Sequence, residues 1–188
     1  MDDKGEKIVI ESSSQLKFVG TEIEANLVRA TRPIDKDSSS FYFELKVVNS
    51  GEEGAIAIGL TQANVNTRSG YFPGWKNLGI GYHGDDGGIF HESSKAIERG
   101  EPYATGDVVG CYLCRTQMND EEITLVQFTR NGKKILSPRI LPNADWYPTI
   151  GLASPGAIVE TNFDTNQSII DTKGLYYGYK SLITKIIL

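Results

Sequence analysis

Residues 41–48, FYFELKVV, alternate so strictly that they can lie on a core in only one way: Phe41, Phe43, Leu45 and Val47 face one side, and Tyr42, Glu44 and Lys46 the other. This predicts a half-buried β-strand. Shorter runs of the same kind recur at IVIE, QLKFVG, AIAIGL, DVVGCYLCR, ITLVQFT, KKIL, PTIGL and AIVETNF, each bounded by Gly, Pro, Asn, Asp or Ser. Asn131-Gly132, between QFTR and KKIL, is the strongest hairpin signal, because a type I′ turn needs positive φ at both central residues. Helical periodicity is hard to find before residue 170. Many short strands, frequent turns and no alternating helices predict an all-β fold, a twisted antiparallel two-sheet sandwich.

The chain has 188 residues and a formal charge of −5, enough for one domain with a substantial core. We expect an N-terminal tail over 1–7, a sandwich over 8–165 and a C-terminal extension over 166–188 that reads either as a short helix with a Leu and Ile stripe or as a linker. The longest apolar stretches, AIAIGL and the final LITKIIL, are far shorter than the roughly 18 residues of a spanning helix. The acidic start, MDDKGEKIVIE, has no apolar core of a signal peptide, so the expected location is the cytoplasm, with the nucleus as a second compartment. Lys and Arg stand singly or in pairs, with no basic stripe to displace counterions from a phosphate backbone. Neither nucleic acid nor a membrane surface is an expected partner.

Catalytic chemistry finds little support. His83 and His91 are the only imidazoles, and neither a Gly-x-Ser-x-Gly elbow nor a His-Glu-x-x-His helix occurs. Cys111 and Cys114 have Cys-x-x-Cys spacing, but on a strand positions i and i+3 face opposite ways, so two buried free thiols are expected instead of a redox or zinc pair. Residues 79–84 satisfy Gly-x-Gly-x-x-Gly, yet a turn and another short strand follow where a dinucleotide site needs a helix N-terminus. Asp85 and Asp86 lack the spaced oxygen set of a calcium loop. No cofactor or metal is expected. More informative are Tyr71, Phe72, Trp75, Tyr82, Trp146 and Tyr147, beside PGW, GYH and WYP, where the chain is expected to turn. Such rings are either core plugs or a recognition surface.

VRATRPI (28–34), SSSFYFELKVVNSGEEGAIAIGLT (38–61), PGW (73–75), GYHGDDG (81–87), TGDVVGCYL (105–113), FTRNGKKI (128–135) and YPTIGLASPGAIVETNF (147–163) resemble, in order, the SPRY (B30.2-like) domain, and within it the branch of Ran-binding protein M. The resemblance covers about residues 8–165. It implies a sandwich without a catalytic centre, whose loops at one end bind a short extended peptide of a partner protein in an adaptor or scaffold, such as a ubiquitin-ligase assembly. Carried over residue by residue, the implied contacts are Arg29, Arg32 and Pro33 in the first loop, Tyr71 and Trp75 in a later one, and Ser154, Pro155 and Gly156 in the last. SOCS-box relatives, which bind Asp-Ile-Asn-Asn-Asn-like peptides, carry Val-Trp-Gly at that last position, and this chain does not. Aromatic platforms also suit sugar faces, so a lectin-like sandwich is the alternative, alongside a purely structural domain of a longer protein.

Overall fold

The computed structural model describes residues 4–164 apart from 69, 77, 78, 119 and 120. The expected C-terminal helix or linker lies outside the described residues. In chain order the strands are β1 (Ile8–Ile10), β2 (Gln15–Phe18), β3 (Asn26–Arg29), β4 (Ser40–Asn49), β5 (Ile56–Thr61), β6 (Ile80–His83), β7 (Gly88–His91), β8 (Glu98–Arg99), β9 (Val108–Met118), β10 (Glu121–Arg130), β11 (Lys133–Leu141), β12 (Tyr147–Leu152) and β13 (Ile158–Asn162). They form a seven-stranded sheet, β1-β2-β13-β4-β9-β10-β11, and a six-stranded sheet, β3-β12-β5-β6-β7-β8. Every pairing between strands is antiparallel. The all-β two-sheet prediction is met.

The core lies between the sheets because each contributes one alternating face. Phe43, Leu45 and Val47 of β4, Val109, Cys111 and Leu113 of β9, and Val126 and Phe128 of β10 meet Ile56, Ile58 and Leu60 of β5, Ile80 and Tyr82 of β6, and Ile150 and Leu152 of β12. Burying one such aliphatic or Phe side chain is worth about 1.5–3 kcal/mol. The expected hairpin joins β10 to β11, with φ of 49° at Asn131 and 77° at Gly132.

Three local expectations are corrected. Tyr42 and Glu44 do not face solvent: they are buried on the outer face of the seven-stranded sheet, Tyr42 beside Tyr112, Cys114, Ile123 and Leu125. The Tyr42 hydroxyl donates to Glu44 at 2.7 Å and Asn162 Nδ2 donates to its other carboxylate oxygen at 3.1 Å, so the carboxylate can be covered without losing its partners. Gly81, Tyr82 and His83 form strand instead of turn, all buried. Val28 and Arg29 belong to β3, an edge strand whose outer side is closed by residues 4 and 5: Lys4 forms a bridge to Val28 and the Gly5 N–H donates to Leu27 O at 2.7 Å.

Candidate functional site

Among the described residues, one of the turn-rich segments becomes a large irregular connection. Between β5 and β6, at positions 62–79, the described residues leave the six-stranded sheet and lie across its outer face. Val65 and Phe72 settle on Leu27 and on Ala25, Ala55, Ala57 and Ala153, alanines whose small side chains let the loop lie close, and Trp75 packs against that layer. Tyr71 meets Trp75 edge-on, ring centroids 6.4 Å apart, and Lys76 Nζ sits 3.7 Å from the Tyr71 ring centroid. Tyr71 and Trp75 are both half-buried.

The turn carrying Trp75 is held by close backbone approach. Gly74 has φ of 90°, and a Cβ there would lie 2.3 Å from the Phe90 carbonyl oxygen, so no other residue fits without displacement. His83 lies beneath, its Nε2 2.9 Å from the Pro73 carbonyl and its ring stacked on Phe90 at 4.2 Å. Burial pushes its pKa down to about 4, so it is neutral and donates that N–H. Trp75 touches His83, Phe72 and Phe90, yet its buried Nε1 has no hydrogen-bond partner among the described residues.

The structure places the eight sequence-derived residues in two groups. The register of β3 on β12 sets Asn26 opposite Leu152 and Arg29 opposite Thr149, a separation along the strand of roughly 10 Å. At the Asn26 end, Ala25 bridges Gly70, bringing Tyr71 alongside, while Ala153 lies under the Trp75 layer and leads into Ser154, Pro155 and Gly156. Ser154 is buried and its hydroxyl accepts the Glu53 N–H at 2.8 Å; Pro155 is half-buried and Gly156 exposed. At the other end Arg32 and Pro33 are exposed. Arg29 is half-buried there, its Nη1 donating to the carbonyls of Gln62 at 2.7 Å and Ala63 at 2.8 Å, with Cζ 5.0 Å from the Tyr147 ring centroid. It also lines an apolar cleft of about 340 Å³ between the sheet edges, with Ile10, Leu16, Val28, Pro148 and Phe163.

The other candidates resolve structurally. Trp146 and Tyr82 are core residues, not surface rings, and Trp146 Nε1 donates to Pro142 O at 3.1 Å. Cys111 and Cys114 are free and buried on opposite faces of β9, and burial raises both thiol pKa values. Asp86 closes its own turn, accepting the Gly88 N–H at 2.7 Å and pairing with Arg99. Sequence reasoning missed the supports, His83 and Phe90. Nothing in GYH signals that its imidazole meets a carbonyl ten residues earlier.

A family model described as SPRY domain matches residues 40–166. The chain belongs to the SPRY family. SPRY domains are protein–protein interaction modules, and the curated relatives agree in sequence along most of the chain. It is 38% identical over 162 residues to Ran-binding protein 9 of Mus musculus, covering 85% of this chain and 23% of that protein. Over 166 residues it is 36% identical to Ran-binding protein 10 of Danio rerio, covering 87% of this chain and 26% of that protein. The chain thus spans about a quarter of the length of these relatives. Among solved structures, a human SPRY domain superposes with a TM-score of 0.73 at 28% identity, covering 85% of this chain and 97% of that one. The SPRY domain of human HERC1 superposes at 0.60 and 16% identity, covering 88% and 97%, which speaks for the fold alone.

Proposed function

We propose that this SPRY domain binds a short extended peptide of a partner protein, without catalysis, on the face formed by Tyr71, Trp75 and the 154–156 turn. It would serve as the recognition element of an adaptor or scaffold, of which a ubiquitin-ligase assembly is one kind. The observation that carries the reading is the edge-on Tyr71–Trp75 pair, two half-buried rings presented by a loop whose turn is fixed against β6 and β7. Large rings with a polar tip supply much of the affinity of protein interfaces, and a loop already ordered loses little entropy when a ligand arrives. The 154–156 turn adds exposed backbone at Gly156 beside them.

A peptide array followed by fluorescence polarisation on the selected peptide tests this. Tyr71→Ala should weaken binding about tenfold, equivalent to roughly 1.4 kcal/mol, with the melting temperature held. Undiminished affinity in folded Tyr71→Ala removes this face, and a loss confined to Arg32→Ala moves the site to the far end of β3.

A further inference from the structure

We propose that Arg29 is a positioning residue for the peptide-binding face: it fixes where Tyr71 and Trp75 stand by gripping the root of the 62–79 loop, and does not itself touch the ligand. The inference rests on the reading given under Proposed function. Three alternate residues tie this loop down, Arg29 and Leu27 within β3 and Ala25 just ahead of it. Arg29 holds its first residues through the carbonyls of Gln62, Ala63 and, at 3.4 Å, Val65; the Leu27 N–H donates to Thr67 O at 3.0 Å; and Ala25 bridges Gly70, the residue before Tyr71. Strand β3 therefore acts as a rail along which the loop is laid, from the Arg29 end to the Tyr71 end.

Two of these ties are main-chain and available to almost any sequence. Of these three ties only that of Arg29 is made by a side chain, so along the 62–70 stretch it is the hydrogen-bonded tie that depends on residue type. A guanidinium suits the task because it stays charged and keeps its donors in a rigid plane, and carbonyl oxygens arranged around a cation form charge-assisted hydrogen bonds. Tyr147 closes the site with its ring face toward the guanidinium, which fixes the direction in which the donors point. The same donors, turned onto Gln62 and Ala63, are directed away from a ligand seated at Tyr71.

Hydrogen exchange on the full chain and on Arg29→Ala and Arg29→Lys tests the proposal, with amides of β9 and β10 as internal reference and with affinity for the array-selected peptide measured in parallel. Arg29→Ala should speed exchange over residues 62–71 by tenfold or more, leave β9 and β10 within twofold, and weaken the peptide by about tenfold. Arg29→Lys, which keeps the charge but not the fork, should fall between, and it carries the test if the alanine variant is poorly folded. Unchanged exchange in the loop overturns the proposal, and a loss of affinity with unchanged exchange makes Arg29 a direct contact instead. A loosened loop with full affinity also overturns it. Tyr71→Ala then separates the causes: if that variant binds normally, the face itself is wrong, and if it does not, only the role of Arg29 is.

Discussion

Trp75 and Trp146 stand in similar sequence, each beside a proline in an irregular stretch, yet they have opposite fates. Trp146 is 0% exposed, between the sheets, and its indole N–H donates to Pro142 O. Trp75 lies on the outer face of the six-stranded sheet, over a floor of alanines, half-buried, with its indole N–H unmatched among the described residues. The difference comes from the strand that each precedes or overlies. Trp146 runs directly into β12, whose inner face carries Ile150 and Leu152, whereas Trp75 belongs to a loop that never enters the core. A ring that completes a core has all its groups satisfied by the fold. A ring that covers a sheet from outside keeps an edge and a donor that the fold does not use.

The largest test of that contrast is Trp146→Ala, which should cost about 4 kcal/mol in urea denaturation through lost burial and the cavity left behind. A cost below about 2 kcal/mol would erase the distinction. Next comes pH. His83 titrates near 4 in the fold against 6.5 when exposed, so between those values the unfolded chain binds the extra proton. Its contribution is complete above pH 6.5 and is lost as pH falls toward 4, by roughly 3 kcal/mol. Wild type should therefore lose that much more stability than His83→Gln across the same interval, in denaturation curves taken at pH 7 and 4. A parallel decline in the two proteins would show that His83 is not the group that couples the Trp75 turn to acid.

Gly74→Ala combines a left-handed backbone with a Cβ pressed on the Phe90 carbonyl, and should cost roughly 2 kcal/mol while shifting Trp75 fluorescence. The smallest stability effect belongs to Trp75→Phe, within about 1 kcal/mol of wild type, because the ring contacts largely survive and an unmatched buried donor disappears. The same change should weaken the selected peptide measurably in fluorescence polarisation. A Trp75→Phe protein as destabilised as Trp146→Phe would place both rings in one class.

The fold was legible in the sequence because period two is a local property: β4, β5, β9, β10, β12 and β13 all grow from runs whose alternation or bounding turns can be read without knowing their neighbours. Asn131-Gly132 was legible for the same reason, since positive φ is required by the turn itself. Tyr42 and Glu44 were not. Their burial depends on each other's hydrogen bond and on Asn162, more than a hundred residues away. In the candidate site the residue types were readable and the placement was not. The motifs place Arg29, Tyr71 and Ser154 on connections, but only the register of β3 on β12 sends Arg29 to one end of a strand and Ser154 to the other. Tyr82, read as a turn aromatic, is core because the glycines around it allow β5, β6 and the Pro73 turn to close on one another.

The clasp of Lys4 and Gly5 along β3 has a consequence for how this molecule meets copies of itself. A protein trimmed to begin at Ile8 would bare the Leu27 carbonyl that Gly5 now covers, giving a strand from another copy an acceptor on a rim that is now shut.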